Sequence, residues 1–204
     1  MLEVRFTAWC RKEGADVTVA AAVWSGLAER YSEPHRHYHD LGHIAASLAE
    51  MDRCGLQDFV IEGAIWFHDV IYDPHRSDNE DASVSWFLEQ TRGWLESSLQ
   101  EIITALIEAT DFRRPRSEEP AAALMVDIDL AILSAPAAEY DVYCERIRRE
   151  YAHVPDEAFR TGRAAVMAGF LAKPIYRTPH FMGREEQARA NITRELARLG
   201  APPD

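Results

Sequence analysis

Residues 60 to 74, VIEGAIWFHDVIYDP, constrain the fold more than any other stretch, because they set an adjacent His68 and Asp69 inside the most apolar segment of the chain. Val60, Ile61, Ala64, Ile65, Phe67 and Ile71 recur at helical spacing and make a core-facing stripe. The pattern predicts one helix running to Tyr72, stopped by Asp73-Pro74 because the residue before a proline avoids the helical region. Burying an imidazole and a carboxylate together costs several kcal/mol unless both find partners. A metal ion satisfies both, but so does an ordinary cap or a hydrogen-bonded core histidine. The pair therefore acquires meaning only from what the rest of the chain supplies.

Most of that chain also reads as helix. Val4, Phe6 and Trp9 predict a helix over residues 3 to 12, and Val19, Val23 and Leu27 a second over 16 to 31, with Gly14 as the break. After Pro34, the residues Leu41, Ile44, Leu48 and Met51 share one face, so a helix is expected from about Tyr38 to Gly55. Ser77 and Glu80 stand at the S-x-x-E spacing of a capping box before Val84, Phe87 and Leu88. Leu99, Ile102, Ile103, Leu106 and Ile107 form a clean amphipathic stripe, and the charged, proline-containing residues 111 to 120 read as a loop. Leu124, Met125, Ile128, Ile132 and Leu133 restart a helix, and further helices fit 139 to 151, 156 to 171 and 184 to 199. No segment alternates with period two. The expectation is an all-α, single-domain helical bundle, since 204 residues at 47% hydrophobic content suffice for one sizeable core.

A formal net charge of -12 makes the surface repel nucleic-acid polymers and anionic membranes, so neither is an expected partner. An anionic substrate needs a local cationic site. Cys10, Cys54 and Cys144 are odd in number and lack CxxC spacing, which argues against a disulfide framework and a cysteine zinc site and for a reducing, cytoplasmic setting. No signal-peptide core and no membrane-length apolar run is expected. Composition is equally open to a monomer and a homo-oligomer.

Three other features join the His-Asp pair. His39 and His43 stand four apart, so on a helix they share a face. Asp127 and Asp129 lie within ALMVDIDLAIL, where at most one of them faces inward with the apolar residues. The chain thus holds, in order, a histidine, a His-Asp pair and an aspartate on separate helices. This order resembles the HD superfamily of metal-dependent phosphohydrolases, named for the adjacent pair seen here as His68-Asp69. The resemblance spans roughly residues 31 to 135, and YSEPHRHYHDLGHI, AIWFHDVIYDP, NEDAS and VDIDLAIL look like one bacterial branch of it, as does the text from EYAHVPDEAF to RTPHF. It implies a metal-site core over about 31 to 135 and a C-terminal helical extension over about 136 to 204.

The resemblance implies His39, His68, Asp69 and Asp129 as metal ligands. His43, one turn on, contends for the first place or contacts substrate, and Asp127 contends for the last. Relatives with two metals carry extra histidines between the pair and the last aspartate, where this chain has His75 alone, so one ion is expected. The HDxxED of alarmone hydrolases is matched only by His68, Asp69, Tyr72 and Asp73, which argues against that activity. Two imidazoles and two carboxylates suit Mn, Fe, Co, Ni or Zn. Such an ion lowers the pKa of a bound water from about 15.7 toward roughly 7 and polarises a phosphoryl oxygen.

Hydrolysis of a phosphate ester, a nucleotide or a small phosphomonoester, is the activity this implies. Asp73 and Glu80 are candidate proton carriers, against plain readings as a helix-end residue and a cap member. Arg36 is a candidate for the substrate phosphate, against a surface arginine. Arg113, Arg114 and Arg116 offer either a phosphate site or a solvated loop that offsets Asp111, Glu118 and Glu119. Two alternatives stand beside the hydrolase. An iron-dependent HD-type oxygenase would show a coupled di-iron centre, and a non-catalytic, metal-stabilised sensing or interaction module would show a site closed to solvent.

Overall fold

The structure is a computed structural model and describes residues 1 to 200. It is all-helical, with no strand among the described residues. The described residues divide into two compact units, one ending at Asp129 and the other beginning at Leu130.

The first unit holds seven helices: α1 (Leu2–Lys12), α2 (Val17–Arg30), α3 (Leu41–Arg53), α4 (Phe59–Phe67), α5 (Asn79–Thr91), α6 (Ser97–Glu108) and α7 (Pro120–Asp129). Helix α4 is its axis and packs against α1, α3, α5, α6 and α7. That placement follows from composition, because a helix apolar all round must be covered on every side. Every residue from Ile61 to Phe67 is buried. Gly63 makes the packing close enough, since a Cβ there would meet Ile103 Cδ1 of α6 and Trp9 Cζ2 of α1 at 2.8 Å. Aromatic rings fill the surrounding space: Phe6 meets Trp66 edge-on at 5.3 Å, Trp9 stacks on Phe59 at 4.8 Å, and Phe67 meets Phe87 at 5.0 Å.

Aspartates start three of these helices. Asp16 accepts from Thr18 N, Asp40 from Gly42 N and His43 N, and Asp58 from Val60 N and Ile61 N, each satisfying amides that have no partner within the helix. The Asp40 cap explains why α3 begins at Leu41 rather than near Tyr38. Helix α4 also departs from expectation, for it stops at Phe67 and leaves His68 and Asp69 on the turn that follows. The capping box expected at Ser77 and Glu80 does not form. Asp78 takes the N-cap position without a side-chain bond, and Glu80 accepts instead from Arg113 Nη2 at 3.1 Å.

The second unit begins with a 3-10 turn, Leu130–Ser134, and continues through α8 (Ala137–Glu150), α9 (Asp156–Leu171), α10 (Pro179–Met182) and α11 (Glu185–Gly200). Helix α11 packs on α9 and on the 3-10 turn. Asn191 fixes the turn by donating from Nδ2 to Leu133 O at 2.9 Å and Ala135 O at 2.8 Å. Glu195, also buried, accepts from Tyr140 Oη and from Arg163 Nε at 2.8 Å, while Arg163 Nη2 donates to Tyr143 Oη at 3.1 Å. The short α10 gave no helical period to read. Glu185 secures the segment before it by accepting from the amides of Ile175 and Tyr176.

Candidate metal centre

Four side chains of the first unit converge: His43 from the first turn of α3, His68 and Asp69 from the turn after α4, and Asp129 from the end of α7. One ligand atom from each lies within 4.8 Å of all the others. His43 Nε2 stands 3.1 Å from His68 Nε2 and 3.2 Å from Asp129 Oδ1, and His68 Nε2 stands 3.1 Å from Asp69 Oδ2. The remaining His-Asp separations are 3.5 and 3.6 Å. Ligands about 2.1 Å from a common ion stand roughly 3.0 Å apart at right angles and roughly 3.4 Å apart at the tetrahedral angle. The donor set therefore has the spacing, as well as the chemistry, of a divalent-metal site.

The hydrogen bonding agrees. His68 Nδ1 lies 3.1 Å from Ile65 O, a carbonyl that can only accept. That carbonyl fixes a proton on Nδ1 and leaves Nε2 as the nitrogen that faces the cluster, the arrangement usual in metal-bound histidines. The charges do not cancel internally, since two carboxylates face two imidazoles that are neutral in their ordinary ligand form. Burial alone lowers the His68 pKa, yet the field of Asp69 and hydrogen bonds to both carboxylates push it well above the usual value. Asp129 is raised by burial, but bonds and fields from His43 and His68 outweigh this and bring it down to about 2. Asp69 is lowered further still, against burial, chiefly by His68 with His39 and His43 assisting. The pocket thus demands positive charge at its centre, either a proton or a cation.

The residues named from sequence do not all meet here. His43, rather than the expected His39, supplies the imidazole that stands with His68, Asp69 and Asp129. With α3 starting at Leu41, His39 precedes the Asp40 cap, so the two histidines do not share a helical face. The His39 ring instead stacks on Tyr72 at 4.0 Å, with its centre 5.9 Å from that of His43. On α7 it is Asp129 that reaches the cluster, and Asp127 is fully buried.

Arg36 is neither a surface arginine nor turned toward a ligand. Its side chain is 0% exposed and it donates to Glu33 Oε2, His39 O, Asp69 O and Val70 O. Backbone carbonyls thus take up the Arg36 donors that were expected to meet a substrate phosphate. Asp73 accepts from His75 N at 2.9 Å, closing a tight turn. Glu80 differs: burial raises its pKa, and the charges of Asp111 and Asp69 add to the effect against that of Arg113. Arg113, about half exposed, bridges Glu80 and Asp111, and Arg114 pairs with Asp81 and Glu108. Those arginines thus answer the carboxylates of their own loop, of α5 and of the end of α6.

What sequence reading missed is the set of side chains that hold the turn after α4. Ser83 Oγ accepts from Ile71 N and donates to Ile71 O, Asn79 bonds both N and O of Asp73, and His35 Nε2 donates to Tyr72 O at 2.7 Å. The polar letters of SEPHR and NEDAS were the available signal. Among the described residues no single helix is long and apolar enough to cross a membrane. Comparison with family models, with curated proteins and with solved structures gives no match.

Proposed function

We propose that this chain is a metal-dependent phosphohydrolase of the HD type, acting on a nucleotide or small phosphomonoester in the cytoplasm. The observation that carries the reading is the convergence of four ligand atoms within 4.8 Å of one another, two from buried histidines and two from half-buried aspartates. His43, His68, Asp69 and Asp129 would hold one ion of Mn, Fe, Co, Ni or Zn. Such an ion supplies a lowered water pKa and a Lewis acid for a phosphoryl oxygen.

The protein's own residues account for the proton. Hydrolysis adds the water oxygen to phosphorus, breaks the bond from phosphorus to the leaving oxygen, and delivers a proton to that oxygen. Glu80 suits the delivery, because burial and the neighbouring acids favour its neutral form. Asp73 suits it less, since its carboxylate closes the turn with His75 N. Arg113, beside Glu80, brings positive charge to the same edge of an otherwise acidic surface.

Metal analysis with a phosphatase screen tests the reading. The wild type should retain about one ion per chain and hydrolyse at least one phosphomonoester, and His68→Ala and Asp69→Ala should lose both properties. Variants that keep metal and activity would defeat it.

A further inference from the structure

Residues 69 to 73 follow the pair that the proposed function rests on, and they belong to no helix. Their backbone groups are taken up by side chains from two other segments. Arg36 Nη1 donates to Asp69 O at 2.7 Å and Arg36 Nη2 to Val70 O at 2.9 Å. Ser83 Oγ bonds Ile71 at both N and O, His35 takes Tyr72 O, and Asn79 takes Asp73 at both N and O. Five consecutive residues are thus held by groups outside them. The apolar period would otherwise carry α4 on through Ile71, as the sequence predicts. In a continued helix these backbone groups would bond along the axis, and the clamp substitutes a bond for each one that it takes.

Arg36 is the centre of the clamp. The same Nη1 that meets Asp69 O also meets His39 O at 2.9 Å, immediately before the Asp40 cap that starts the helix of His43. One buried group therefore joins the two segments that supply His43, His68 and Asp69. The guanidinium is fixed in turn by Glu33 and lies against the rings of Tyr31 at 5.1 Å and Tyr72 at 5.7 Å. Its planar fork serves three carbonyls and a carboxylate at once, which a lysine ammonium at the end of a flexible stem cannot reproduce.

We infer that Arg36, assisted by Ser83, is a positioning residue that sets the separation of the His43 and His68-Asp69 segments and thereby the metal affinity of the site. The inference rests on the metal-centre reading above. Outer groups that orient ligands typically govern affinity by about 10- to 100-fold.

The experiment is calorimetric titration of the metal-stripped full chain with Mn2+ and with Zn2+ at 25 °C, paired with thermal melts. The set is wild type, Arg36→Lys, Ser83→Ala, and Trp9→Phe as a stability control that loses the bond from Trp9 Nε1 to Phe59 O. Arg36→Lys keeps the charge and most of the volume, so that folding, checked by circular dichroism, survives where Arg36→Ala would endanger it. The expected result is affinity weakened about 10- to 100-fold in Arg36→Lys, less in Ser83→Ala and not at all in Trp9→Phe, whatever the melting shifts. Affinities within twofold of wild type in both clamp variants would overturn the inference while leaving the metal centre intact. A wild type that binds neither ion would remove the metal-centre reading, and this inference with it.

Discussion

The two units each bury a cluster of charged and polar side chains, and the clusters are built on opposite principles. In the second unit Glu195 meets Arg163 and the Tyr140 hydroxyl, so its charge and lone pairs are answered by the protein itself. In the first, Asp69 and Asp129 face the imidazoles of His43 and His68. A buried ion pair that closes on itself is a structural device, costly to half-remove and with nothing left to offer a ligand. A buried set of donors left short of positive charge is poised to take up a cation. Burial of charge alone did not separate the two. The state of the counter-charge did.

The contrast breaks most sharply under substitution of Glu195. Glu195→Ala should destabilise the protein by about 3 to 5 kcal/mol in denaturant melts, because Arg163 is left buried without its carboxylate. Metal content should be unchanged. Removing the counter-charge in the first unit should cost less. At a free ion concentration near 100 times Kd, a bound ion adds about 2.7 kcal/mol, and chelation should remove that margin. For a chain of this size this is on the order of 5 to 10 °C in melting temperature, absent from Asp129→Ala, which should melt alike with and without chelator.

A third test sharpens the comparison at an intermediate case, the loop carboxylate Asp111. Burial raises its pKa, but the hydrogen bonds and charge of Arg113 outweigh this and lower it. A carboxyl whose folded pKa is depressed contributes stability above its unfolded pKa and loses it as pH falls through the folded value. Asp111→Asn should thus cost about 1 kcal/mol at pH 7, a modest sum because the half-exposed Arg113 is screened by water. The gap between variant and wild type should shrink as melts are taken from pH 5 toward pH 2. The smallest expected effect concerns the thiols. Burial pushes both Cys10 and Cys144 up to about 12, so neither should react with a thiol-directed disulfide reagent at pH 8 in the folded protein, and both should do so in denaturant.

Much of the candidate site could be read from the chain. His68-Asp69 and Asp129 stood out because polar residues interrupt apolar runs there, and all three reach the cluster. His39 against His43 could not be settled by spacing, since four residues apart places two side chains together only if the helix includes both. The Asp40 cap decides this, and a single aspartate beside HYH carries little signal against so many other polar residues. The end of α4 was hidden for a different reason. Ile71 and Tyr72 continue the helical period, and what stops the helix is tertiary, a set of bonds from Arg36, Ser83, His35 and Asn79. The division after Asp129 falls inside ALMVDIDLAIL with no glycine, proline or charge run to mark it, so the residue pattern alone offers no boundary there, whereas the resemblance implies one near residue 135.

The central claim concerns one point in space, and an anomalous difference map from crystals soaked in Mn2+ or Zn2+ examines that point directly. A single peak is predicted, bonded to His43 Nε2, His68 Nε2 and one oxygen each from Asp69 and Asp129. A map with no peak there, or one whose peak is held by His39 with His43 turned away, would contradict the account.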